Sequence, residues 1–88
     1  MKQRKKAVAL KYEVNNDAPI VTAAGMGPIA DKIIENAEEN DVPIVYNKEL
    51  TDLLSNVDIG REIPESLYEA VAHIIAFVTD LDNKKNER

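Results

Sequence analysis

Gly25, Gly27 and Ala30 stand in the spacing G-x-G-x-x-A, inside the stretch PIVTAAGMGPIADKI at residues 19–33. That spacing is the fingerprint of a dinucleotide-binding turn, where glycines let the backbone approach a pyrophosphate held at a helix N-terminus. The chemistry requires a complete cofactor crevice and benefits from a cation beside the phosphates. A strand-like run precedes the motif and a helical one follows it. Only one βαβ unit can be read from the chain, however, and no arginine or lysine lies at the turn. The two glycines therefore read as architecture, permitting a tight turn and close approach of helix to sheet. A small nucleotide-binding domain built on the Gly25–Gly27 turn stands as the alternative.

Other reactive residue types are sparse. His73 lies among Ala72, Ile74 and Ile75, without the cysteines or paired acids that would make it a metal ligand, and reads as a partly exposed or hydrogen-bonded histidine. The acid pairs Glu38/Glu39 and Asp80/Asp82 fall on helix surfaces or ends, where carboxylates serve solvation rather than acid–base catalysis. Ser55 and Ser66 have no identifiable histidine partner, so a hydrolase triad has no support. The chain has no cysteine, which removes disulfides, thiolate nucleophiles and zinc–thiolate sites. No enzyme, cofactor or metal is expected.

Eighty-eight residues, 44% apolar and 31% charged, specify one small folded domain. Residues 7–81 carry four cations against 14 acids, a net charge of −10, while the basic residues concentrate at the two ends. Such a body repels phosphate backbones, so nucleic acid is not an expected partner. The longest apolar stretch, residues 70–78, is far short of the roughly 20 residues a spanning helix needs. MKQRKK at the start lacks the apolar stretch of a signal peptide. No direct membrane insertion and a cytoplasmic location are the expectations.

These residues are positioned by a short series of elements. KAVALKYEV (6–14) reads as a mostly buried strand, Asn15–Asp17 as a turn, and APIVTAA (18–24) as a second strand. A helix over 28–40 follows, with Ile29, Ala30, Ile33, Ile34 and Ala37 on one face. VPIVYN (42–47) reads as a third strand, parallel to the second through a right-handed crossover. Asn47 suits the N-cap of a short helix carrying Leu50, Leu53 and Leu54. After the connector NVDIGREIP (56–64), a last helix opens near Pro64 with a buried stripe of Leu67, Tyr68, Val71, Ala72, Ile75, Val78 and Leu81. The predicted fold is α/β: a small mixed three-stranded sheet with one βαβ unit and about three packed helices. Its expected core includes Ile33, Ile34, Val45, Leu54, Leu67, Val71 and Ile75.

The phrases AVALKY (7–12), GMGPIADKI (25–33), ENDVPIVYN (39–47), LTDLL (50–54) and VDIGREIPESLYEAVAHIIAFV (57–78) together resemble the cytoplasmic C-terminal domain of FlhB, in the type III secretion export-switch family. Each phrase alone is unspecific; their order over Ala7–Val78 is not. The resemblance implies a four-stranded family sheet and a role in choosing which flagellar subunits are exported. It also implies self-cleavage within Asn-Pro-Thr-His, where the asparagine cyclises and breaks the bond to proline. The four motif positions fall here on Lys2, Gln3, Arg4 and Lys5, so cleavage is not expected.

Residues 1–6 then read as a basic N-terminal extension, 7–81 as an FlhB C-terminal-like domain, and 82–88 as a disordered tail. The resemblance implies a non-enzymatic binding module that replaces or supplements the FlhB domain, with a vestigial paralogue as a further alternative. Its partners would be flagellar export proteins and export substrates, with the membrane part of a full-length FlhB as another candidate. The family strand that precedes the motif has no counterpart in the sequence, which would leave a sheet edge open. Two partner surfaces are expected: that edge, formed by residues 6–14 with Ala9 and Lys11, and the connector, with Asp58, Gly60, Arg61 and Glu62.

Overall fold

The computed structural model describes residues 5–13 and 17–86, with side chains described as far as residue 79. The expectations placed on Lys2, Gln3, Arg4, Asn15 and Asn16, and on the side chain of Leu81, lie outside the described residues. β1 (Lys6–Lys11) and β2 (Ile20–Met26) pair antiparallel, Lys6 opposite Met26 and Lys11 opposite Ile20. The register shifts between Ala9 and Leu10, whose partners are Ala23 and Val21, so Thr22 is an extra residue in β2. Such a bulge bends a strand and raises its twist. The Thr22 hydroxyl donates back to the Ala9 carbonyl at 3.3 Å, spanning the irregularity.

α1 (Pro28–Glu39) starts from Gly27, with Pro28 at its first position, where the missing N–H is no loss. It packs on both strands. Gly25 is required there: a Cβ at that position would run into the Ile29 side chain. At its other end the Val42 N–H returns to the Ala37 carbonyl (2.8 Å) and Asp41 takes φ 58°. This is the left-handed turn that commonly closes a helix. α2 (Lys48–Leu54) is capped as expected, the Asn47 side chain accepting from the Leu50 N–H at 3.0 Å. A 3₁₀ turn, Glu65–Leu67, leads into α3 (Tyr68–Asn86).

The core lies on one face of the strand pair. Ala18, Val21, Leu50, Leu54, Ile63 and Val71 are buried together, with Val8, Leu10, Ala24, Leu67, Ile74 and Ile75 packed against them. Val21 and Val71 are 0% and 1% exposed, and burying each contributes about 1.5–3 kcal/mol. α2 and α3 supply this layer, while α1 lies across the opposite face, where Ala30 is fully buried.

The α/β class with three helices holds; the third strand does not. Residues 42–47 are in no strand, and the described sheet has two strands without a completed βαβ unit. Pro43 has no N–H, and among the described residues no parallel strand pairs with the segment. A third lane forms instead on the far side of β2, from the connector. Gly60 N–H donates to Val21 C=O (2.7 Å), Val21 N–H to Arg61 C=O (3.0 Å) and Ile63 N–H to Pro19 C=O (3.0 Å), with an antiparallel bridge between Ile20 and Glu62. The expected core is also smaller. Leu54 and Val71 are buried, whereas Ile33, Ile34, Leu67 and Ile75 are half-buried and Val45 is 39% exposed.

Candidate functional site

The two expected partner surfaces stand on opposite sides of β2, because β1 borders one edge of that strand and the connector the other. They do not form one site. On the connector, two backbone hydrogen bonds are made with β2 and a third with Pro19 just before it, and Ile63 is buried, so the segment anchors the last helix to the sheet. Arg61 N–H also closes a turn onto the Asp58 carbonyl at 3.1 Å. The residues Asp58, Gly60, Arg61 and Glu62 are nevertheless exposed.

The β1 edge is differently arranged. Backbone groups along a strand point alternately to its two sides. The Lys5 carbonyl accepts from Gly27 N–H (2.7 Å) and the Ala9 carbonyl from Thr22, so both point toward β2. Val21 turns its own N–H and C=O to the connector, so Leu10 opposite it turns its groups away from β2. The outward groups are therefore those of Lys6, Val8 and Leu10, and among the described residues none of them has a backbone partner. Ala9 and Lys11, singled out from sequence, belong to the side that faces β2. The Lys11 ammonium pairs with Glu13 at 3.2 Å.

Beyond that edge the helix layers continue without a sheet between them. A cavity of about 1330 Å³ opens there, bounded by β1 on one side and residues 42–47 on the other. Ile33, Ile34 and Ala37 of α1 line one face, and Ile74, Ile75 and Val78 of α3 the other. Lysines stand at one end: Lys5 pairs with Asp31 (3.1 Å), and Lys6 and Lys48 both pair with Asp52 (3.1 and 3.3 Å). Those two ammonium groups, Lys6 foremost, hold the Asp52 carboxyl below its ordinary pKa. From sequence, Ile33, Ile34 and Ile75 are expected in a closed core and Val78 in a buried stripe. The signal available was the apolar width of α1, broader than two strands can cover. A smaller cleft of about 310 Å³ was also missed; Tyr12, Pro19, Tyr68, Ala72 and Ala76 line it, so Tyr68 and Ala72 are exposed rather than part of a buried stripe.

At the glycine turn, the features a phosphate would use are taken by the fold. Ile29 fills the space above Gly25, the Gly27 N–H is bonded to Lys5, and Asp31 places a negative charge in the first turn of α1. His73 is exposed, its nearest acid Glu69 at 3.9 Å one helical turn away. Among the described residues no helix is long and apolar enough to cross a membrane.

Comparison with known proteins gives the geometry its context. Residues 4–78 match the family model described as the FlhB HrpN YscU SpaS Family. The chain is similar to the uncharacterized protein YlqH of Bacillus subtilis, 43% identical over 86 residues, covering 96% of this chain and 92% of that protein. It is similar to the flagellar biosynthetic protein FlhB of Aquifex aeolicus, 49% identical over 74 residues that cover 82% of this chain and 21% of that protein. Among solved structures, the cytoplasmic domain of FlhB from Shewanella putrefaciens superposes with a TM-score of 0.84 at 35% identity, covering 94% of this chain and 71% of that one.

Proposed function

We propose that this chain, which belongs to the FlhB HrpN YscU SpaS family, is a non-enzymatic binding module of the flagellar type III protein export apparatus. It takes up an extended segment of an export component or substrate along the outer edge of β1. The observation that carries this reading is the row of backbone groups at Lys6, Val8 and Leu10 that have no partner among the described residues, on the edge that the connector does not cover. Extended peptides add to such edges through main-chain hydrogen bonds, and side-chain pockets supply the selectivity. The FlhB similarity supports an export role, although this chain spans only about a fifth of the FlhB it matches. No second reading has a specific observation in its favour. The Gly25–Gly27 turn is explained by the packing of Ile29.

Deleting the gene and scoring motility together with secreted hook and filament proteins tests the reading. A changed amount or order of secreted subunits is the expected result. Unchanged motility and secretion would overturn it. Mass spectrometry of the purified chain should show one intact polypeptide, and a protease-independent break among residues 2–6 would contradict the non-enzymatic assignment.

A further inference from the structure

We infer that the occupant of the β1 edge is a strand inserted between two walls rather than added to one. It enters the cavity between β1 and residues 43–46 and pairs with both. This rests on the binding-module reading and specifies the partner's chemistry. Residues 43–46 take no backbone hydrogen bond among the described residues, although the sequence marks them as a strand. The opposite wall presents the outward groups of Lys6, Val8 and Leu10. Two unpaired backbone rows thus face one gap, and the helix layers above and below it are apolar. A single strand in that gap satisfies both rows and gives Val45 and Ile34 a surface to pack on. Tyr46, 85% exposed, borders the same opening.

The surroundings define the occupant. α1 covers one of its faces and α3 the other, so its side chains are buried on both sides. Strands of that kind are near-continuous runs of Val, Ile and other β-branched residues, not alternating ones. β1 has six residues, so the paired length is about 20 Å. At one end the three cations Lys5, Lys6 and Lys48 outnumber the two carboxylates, Asp31 and Asp52, that they pair with, and this local excess on an otherwise acidic body selects an acidic residue in the flank of the run. The acidic body opposes a second copy of this chain, since residues 7–81 carry a net charge of −10 in each copy.

The probe is a blocked peptide, Glu-Glu-Val-Thr-Val-Ile-Val-Thr, added to the full chain while amide hydrogen exchange is followed by NMR. Protection is expected to rise together at Val8 and Leu10 on one wall and at residues 44–46 on the other, and to saturate. A Lys-Lys-headed version of the peptide should bind at least about threefold more weakly. The Ile34→Glu variant, checked for retained helical circular dichroism, should abolish the effect by placing a charge in the slot. Protection on β1 alone would reduce the site to a simple edge, and protection on neither wall would remove it; either overturns the inference. Protection that rises with protein concentration alone would assign the slot to a second copy, also against it. A secretion defect on gene deletion beside an unprotected slot would leave the export role standing without this occupant.

Discussion

Asp52 joins β1 to α2 by accepting from both Lys6 and Lys48, and the first of these contacts does most to hold its carboxyl acidic. A carboxylate with a lowered folded-state pKa stabilises the fold above its unfolded value, near 4, and loses that contribution as pH falls through the folded value. In an NMR titration the Asp52 midpoint should move upward in Lys6→Ala, and an unmoved midpoint would show that the contact is not formed in solution. A second residue-scale test separates the two sides of β1. Ala9 points its polar groups at β2 and Val8 points its own outward. Ala9→Pro should therefore cost about 1–3 kcal/mol more than Val8→Pro in urea unfolding, because only the former removes a ladder hydrogen bond. Equal costs would mean the assignment of sides is wrong.

At the scale of elements, the sequence was informative wherever the signal is local. Asn47 as the cap of α2, Pro28 at the start of α1 and the glycine turn before it follow from side-chain and backbone chemistry within a few residues, and each is present. Residues 42–47 carry equally strong β-branched character but form no strand, because pairing needs a neighbour that local sequence does not supply. The connector shows the converse. Residues 60–63 do not read as a strand, yet their backbone pairs with β2 because Ile63 is buried in the core there. Ile33 and Ile34 were legible as an apolar face; what that face borders was not. This distinction is measurable. Leu54→Ala, in the buried core, should cost about 2–5 kcal/mol. Ile34→Ala, at the cavity, should cost less than about 1.5 kcal/mol because its side chain is only half removed from water. Comparable losses at both positions would mean that the cavity is closed in solution.

Taken as a whole molecule, the chain is a strand pair guarded on one edge and open on the other, between helix layers wider than the pair itself. The connector occupies β2's outer side, so the open edge of β1 and the adjacent cavity are where another chain can complete the sheet. Membership of the FlhB HrpN YscU SpaS family supports a flagellar or type III export role for the chain. The most direct test is secretion of hook and filament proteins by a strain lacking the gene and complemented with Val8→Pro, beside Val8→Thr as a control that keeps the N–H. With both variants folded, Val8→Thr should restore the parental secretion profile and Val8→Pro should not; full restoration by Val8→Pro would contradict a role for the β1 edge.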